Sequence, residues 1–195
     1  TIYIPKTVRY IGDYTFAVGN WIGQGDRDKQ LTNIIFEDGS QLERIGDGAF
    51  SNCVSLNSIN LPSSLTSIGD SAFGFCSGLT GELDFSNCTN LTSIGSSAFW
   101  SCRGLTSISL PSSLTDIGSS AFNYCRNLTE VIIDSPDIYK DATSASACGG
   151  LLRYATTVKV LTSLVSDSHA YINSTNFPNV STEEIDRKNY TVYSK

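Results

Sequence analysis

The sequence repeats itself, and the repeat constrains the fold more than any other feature. Ile-Gly pairs stand at Ile11-Gly12, Ile45-Gly46, Ile68-Gly69, Ile94-Gly95 and Ile117-Gly118, separated by 34, 23, 26 and 23 residues. Five residues after each Ile comes a Phe: Phe16, Phe50, Phe73, Phe99 and Phe122. In the last four rungs a Cys follows three residues later (Cys53, Cys76, Cys102, Cys125), and a Leu three beyond it (Leu56, Leu79, Leu105, Leu128). Two rungs add Ile-x-Leu-Pro, at Ile59–Pro62 and Ile108–Pro111. Four columns held in register over five rungs are not a chance pattern. A unit this short cannot bury its apolar side alone, so the stack of rungs is the folding unit.

The columns also predict a cross-section. In Leu-x-x-Ile-x-Leu the Leu and Ile side chains point inward and the intervening residues point outward from a strand. Stacked strands make a parallel sheet, and Pro ends each strand where no ladder hydrogen bond is needed. Gly after the Ile of Ile-Gly suits a tight corner. Ser-Ser-Ala-Phe and Asp-Ser-Ala-Phe read as the start of a short helical turn that delivers Phe and Cys to the interior. A period of 23 residues lies within the range of about 20–29 for leucine-rich repeats. The expected fold is a leucine-rich-repeat solenoid, a right-handed coil with its parallel β-sheet on the concave face and short turns or helical turns on the convex face.

The pattern Leu-Pro-Ser-Ser-Leu-Thr-x-Ile-Gly-x-Ser-Ala-Phe-x-x-Cys-x-x-Leu-Thr resembles the BspA-type leucine-rich-repeat family over about residues 1–152. The resemblance implies a secreted or surface-attached protein of a host-associated microbe, engaged in adhesion or protein binding. It supplies no ligand, because the family is recognised by scaffold residues rather than by a shared site.

The regular pattern ends in a decayed rung. Cys148 lies 23 residues after Cys125, with Ala145 at the Phe position and no Ile-Gly pair. We divide the chain into a solenoid over residues 1–155 and a C-terminal cap over 156–195, in which Val158-Lys159-Val160 reads as a strand. Ile185 and Tyr190–Tyr193 flank Asp186–Asn189 as a hairpin with its turn. The chain begins at Thr1 and contains no Met, which reads as a processed or trimmed segment cut inside a repeat.

Two insertions break the period. The first, Gly19–Gln30, is rich in Gly and charge yet carries Trp21 and Ile22. Trp is enriched at binding hot spots, so the loop is a candidate contact. The plainer reading, which we favour, folds Trp21 back over the edge of the stack, because an exposed loop Trp harms solubility. The second insertion, Thr80–Asn90, predicts a bulged strand and a wider corner. It places Cys88 outside the Cys column.

The six cysteines admit disulfides, a metal site, or buried thiols acting as small apolar fillers. Their spacing matches no zinc motif, and stacked side chains point in parallel where a disulfide wants a dihedral near ~90°. Buried thiols are the reading we adopt. The single histidine, His169, sits in a polar stretch of the cap and reads as a surface residue rather than the base of a triad. Asp26 and Asp28 beside Gly25 lack the rest of a calcium loop. We expect no catalytic residues, no metal and no cofactor.

Net charge is 13 − 19 = −6, which disfavours nucleic acid and anionic membranes as partners, and no apolar run reaches the ~18 residues of a spanning helix. Charged residues make up 16 %, against roughly 25 % in an ordinary domain, so Ser, Thr and Asn fill the surface. The outward strand positions form the widest ordered surface: Tyr3, Asn33 and Ile35, Ser58 and Asn60, Glu82 and Asp84, Ser107 and Ser109, then Glu130, Ile132 and Asp134. We read Glu82, Asp84, Ser107, Ser109, Glu130, Asp134 and Asn60, together with Trp21, as the candidate partner-binding set. The expected function is a non-enzymatic, extracellular protein-binding module whose partner is a host extracellular protein. The alternative is a structural spacer that displays another part of a larger surface protein. A hydrolase is the weakest reading, because no catalytic set is present.

Overall fold

The structure, a computed structural model, describes residues 1–18, 31–141, 147–161, 179–185 and 188–195. Trp21 and its loop, Asp26, Asp28 and His169 lie outside the described residues. The repeat builds a parallel-strand solenoid of leucine-rich-repeat type with little helix. The Leu-x-x-Ile-x-Leu column gives β1 (Ile2–Ile4), β3 (Asn33–Phe36), β5 (Ser58–Ile59), β7 (Thr80–Asp84), β9 (Gly104–Leu110) and β11 (Glu130–Ile133). Strands β1-β3-β5 form one ladder and β7-β9-β11 another, all parallel. The Thr80 N–H bridges the two by donating to the Asn57 carbonyl at 3.2 Å. The Ile-Gly column gives a second parallel sheet from β2 (Tyr10–Ile11), β4 (Arg44–Ile45), β6 (Ser67–Ile68), β8 (Ser93–Ile94) and β10 (Asp116–Ile117).

The glycines of this second sheet serve close packing rather than a corner. None has a positive φ. A Cβ on Gly69 would sit 2.7 Å from the Asp47 backbone nitrogen, and one on Gly95 2.6 Å from that of Asp70. Only a residue without a side chain lets the next rung approach that closely.

The Phe-bearing segments are consecutive turns, not the helical turns the sequence suggests. In one rung Ala72, Gly74 and Cys76 donate to the carbonyls of Gly69, Ser71 and Phe73, each three residues back. The alternate amides of Ser71, Phe73 and Phe75 donate instead to Ser96, Ala98 and Trp100 of the next rung, at 2.7–2.8 Å. A helix would use those amides within its own turn. The alternation requires left-handed backbone two residues before the Phe, at Tyr14, Ser71, Ser97 and Ser120, and two residues after it, at Asn52, Phe75, Ser101 and Tyr124.

The core is columnar. Phe16, Phe50, Phe73, Phe99 and Phe122 form one stack, with successive centroids 5.2–5.3 Å apart and planes within 17°. Four of these rings are fully buried, and Phe16, in the first rung, is half-buried. Cys76, Cys88, Cys102 and Cys125 are buried free thiols, and Cys53 is buried in the same core. The column thiols do more than fill space. Cys76 donates to the Phe50 carbonyl, Cys102 to Phe73 and Cys125 to Phe99, each at 3.1 Å, so every thiol ties its rung to the one before. In the second insertion, the left-handed backbone of Gly81 (φ 76) coincides with a register shift between Gly81 and Glu82, a β-bulge in β7.

The sixth rung departs from the sequence register. Val131 pairs with Val158 in β12 (Thr157–Leu161), an offset of 158 − 131 = 27 residues rather than the 23 read from Cys148. The extra length holds α1 (Pro136–Asp141) and α2 (Ala147–Gly150). Ser135 caps α1 by accepting the Ile138 amide at 3.1 Å, and its hydroxyl donates to the Leu114 carbonyl. Strand β12 continues the parallel sheet. The hairpin of β13 (Asn179–Ile185) and β14 (Lys188–Ser194) then adds through β14, antiparallel to β12.

Candidate functional site

The outward face of the Leu-x-x-Ile-x-Leu column is built by register. Tyr3 lies beside Ile35, and Asn33 beside Ser58. Glu82 lies beside Ser107, which lies beside Glu130; Asp84 lies beside Ser109, which lies beside Ile132. Exposure varies along this row. Tyr3 is 73 % exposed and Ile35 42 %, so the first rungs present apolar surface. Ser58, Asn60, Glu82 and Asp84 are exposed, whereas Ser107, Glu130 and Ile132 are half-buried.

The carboxylates do not form the four-membered wall that the sequence suggests. Asp134 is buried, at 7 % exposure, because the chain leaves β11 there and turns inward toward Ser135 and α1. Its amide donates to the Leu110 carbonyl at 3.3 Å. Glu130 is neutralised by Lys159 across the ladder, with Nζ 2.6 Å from Oε1. Lys159 is the outward residue of Val158-Lys159-Val160, and counting that strand as cap hid its place on this face. Ser109 is buried and donates its hydroxyl to Glu82 Oε1 at 2.7 Å, which fixes the Glu82 side chain. Asp84 accepts the Ser86 amide at 2.7 Å in a local turn. Among the described residues, Glu82 and Asp84 have no cation within ion-pair reach. The face therefore carries two oriented, uncompensated carboxylates at its centre and apolar side chains at its first rungs.

A second polar row runs along the Ile-Gly sheet. Asp13 Oδ1 accepts the Asp47 amide at 2.9 Å, Asp47 Oδ1 the Asp70 amide at 2.9 Å, and Asp70 Oδ1 the Ser96 amide at 2.7 Å. These carboxylates cap the next rung. Asp13 also accepts the Tyr10 hydroxyl at 2.8 Å, and these two hydrogen bonds hold its carboxyl below the ordinary aspartate range. Sequence reasoning missed this row, although Asp at 13, 47 and 70, each directly after the Gly, was its signal.

Four of the described thiols, Cys76, Cys88, Cys102 and Cys125, are not activated nucleophiles. Burial pushes Cys125 up to about 12 and Cys88 up to about 11, and raises Cys76 and Cys102 as well. A thiol needs the opposite shift to react readily. Among the described residues, no group of three His, Cys, Asp or Glu side chains is placed to hold a metal ion. No helix among them is long and apolar enough to cross a membrane.

The profile of the BspA type leucine-rich repeat region matches residues 27–147, in six copies. The chain belongs to the BspA-type leucine-rich-repeat family. Two solved structures extend the likeness. The leucine-rich repeat protein TpLRR of T. pallidum is 25 % identical, with a TM-score of 0.64 over 80 % of this chain and 67 % of its own. The pneumococcal vaccine antigen PcpA is 29 % identical, with a TM-score of 0.54 over 70 % of this chain. This chain spans 31 % of the length of PcpA, so it corresponds to one part of that protein. No curated protein matches the sequence. Family and fold make this BspA-type chain a repeat module of the protein-interaction kind.

Proposed function

We propose that this chain is a non-enzymatic, extracellular or cell-surface adhesion module that binds a protein partner through its outward sheet face. The single observation that carries the reading is the pair Glu82 and Asp84, exposed on β7 with no cation in ion-pair reach among the described residues, and with Glu82 pinned by buried Ser109. Side chains held this way lose little freedom on contact. Tyr3 and Ile35, on the same column, supply apolar area for the partner to cover. The partner that fits is a host extracellular protein with a basic patch bordered by apolar residues. The likeness to a pneumococcal vaccine antigen supports an external location. The neutralised end of the face, where Glu130 meets Lys159, is what a spacer would show throughout. Surface plasmon resonance against immobilised host matrix and plasma proteins separates the two. The binder reading expects saturable, salt-sensitive binding to a member of the panel. Binding to none favours the spacer. Binding that survives Glu82→Lys with Asp84→Lys but disappears in Trp21→Ala would move the site to the inserted loop.

A further inference from the structure

The turn face carries a second surface, of opposite sign. Phe75 is 50 % exposed and Tyr124 38 %, and both stand at the left-handed position two residues after the buried Phe, with φ 62 and 64. Asn52 and Ser101 fill that position in the neighbouring rungs. Small polar residues tolerate this backbone, and a bulky aromatic there is unusual. Trp100 lies in the rung between, its carbonyl accepting the Phe75 amide at 2.7 Å. Its ring sits 4.7 Å from that of Tyr124, tilted by 51°. Arg103 and Arg126 follow the buried Cys102 and Cys125, so they occupy equivalent places in adjacent rungs. The Asn127 side chain bonds the Arg103 carbonyl at 2.9 Å and ties the two segments together. Both arginines are exposed. Arg103 Nε donates to Ser101 Oγ at 3.1 Å, and among the described residues neither guanidinium lies within ion-pair reach of an acid.

In a chain of net charge −6, two arginines one rung apart with no acid in ion-pair reach among the described residues are an unusual local balance. Like charges on adjacent rungs repel, and an anion placed between them relieves the repulsion. Arg, Trp and Tyr are also the residues that dominate protein interfaces. We propose that Phe75, Trp100, Tyr124, Arg103 and Arg126 form a docking surface for an acidic protein segment, one with carboxylates flanking an aromatic or aliphatic anchor. The carboxylates take the guanidinium forks and the anchor packs against the outer faces of Phe75 and of the Trp100–Tyr124 ring pair. Exposed Phe75 and Tyr124 supply apolar area for an aromatic or aliphatic side chain to cover, which favours protein over an acidic glycan. This surface rests on the reading that the solenoid binds protein, but not on the carboxylates of the sheet face.

The test is a titration of the ¹⁵N-labelled chain with a blocked peptide Asp-Glu-Phe-Asp-Glu, its lysine-for-acid counterpart, and polygalacturonate. The acidic peptide should shift amides within 74–78, 100–104 and 123–127, with affinity falling ~5-fold between ~0.05 and ~0.5 M salt. Arg103→Glu with Arg126→Glu should erase those shifts, and Trp100→Ser with Tyr124→Ser should weaken them, with each variant folded by circular dichroism. Glu82→Lys with Asp84→Lys should leave them unchanged, which separates this surface from the sheet face. Four results would overturn the proposal: no shift at ~5 mM peptide, equal shifts from the lysine peptide, stronger shifts from polygalacturonate, or shifts that survive the arginine reversals.

Discussion

Phe99→Ala should be among the most damaging single truncations in this chain, and the structure sets its size. Phe99 is fully buried. It stacks on Phe73 at 5.2 Å and on Phe122 at 5.3 Å, and Phe85 meets it edge-on at 5.9 Å. Truncating a buried Phe costs about 3–5 kcal/mol. Losing three ring partners, each contributing about 0.5–1.5 kcal/mol beyond area, pushes the expectation to the upper half of that range. For a chain of this length, about 2–4 °C per kcal/mol converts the loss to roughly 10–20 °C in Tm. Phe16→Ala is the internal control. Phe16 is half-buried and, among the described residues, stacks on Phe50 alone, so a loss of about 1–2 kcal/mol is expected. Thermal and urea melts followed by circular dichroism read both. If Phe99→Ala melts within 2 °C of wild type (roughly 1 kcal/mol or less), or if Phe16→Ala costs as much, the columnar core is wrong.

Gly69→Ala should cost about 1–3 kcal/mol or more in a urea melt, because its Cβ would meet the Asp47 nitrogen and the Gly46 carbonyl carbon at 2.7 Å. Gly39→Ala meets nothing within 4 Å and should lose only the left-handed strain of about 1–2 kcal/mol, so equal losses would refute the packing argument. In the native state Cys76, Cys102 and Cys125 should resist iodoacetamide, and denaturant without reductant should make all three reactive. Cross-linked peptides under controlled oxidation would contradict free thiols. The Asp13 carboxyl is held low in the folded state, so the stability it contributes is present above the ordinary aspartate range and is lost as pH falls through it. A Tm series should therefore show wild type ahead of Asp13→Asn at pH 7, with the gap closing below about pH 4. A constant gap would show that the Tyr10 contact is idle. Ester, peptide, glycoside and phosphate substrates should show no turnover, and turnover lost in His169→Ala would defeat the non-enzyme reading.

Much of the scaffold was legible because each column repeats a local rule. Inward Ile, Leu, Phe and Cys recur at fixed spacing, so one rung's pattern predicts the next. The residues added at Thr80–Asn90 announced the bulge at Gly81, and the strand pattern around Tyr190 gave the hairpin. What was missed depends on contacts between rungs. The thiols bond to Phe carbonyls 26 or 29 residues earlier, and Asp13, Asp47 and Asp70 cap amides of the following rung. Helical turns were expected because Ser-Ala-Phe favours them locally, but alternate amides pair across rungs instead. The candidate site was half legible. Register placed Glu82 beside Ser107 and Asp84 beside Ser109. The sixth rung's 27-residue offset, which brings Lys159 beside Ile132 and its ammonium to Glu130, was hidden by Cys148, which imitates the column at 23. The burial of Asp134 followed from α1, which has no counterpart in the other rungs.

The role we propose for the sheet face is to recruit a protein through Glu82 and Asp84. The most direct measurement is the association rate constant of wild type and of Glu82→Lys with Asp84→Lys, toward the partner found on the matrix panel, at low and high salt. Electrostatic complementarity acts mainly on association, so the charge reversal should slow it ~10-fold at ~0.05 M salt and far less at ~0.5 M, with dissociation little changed. Equal association rates at both salt concentrations would contradict the claim and leave the face without a role in binding.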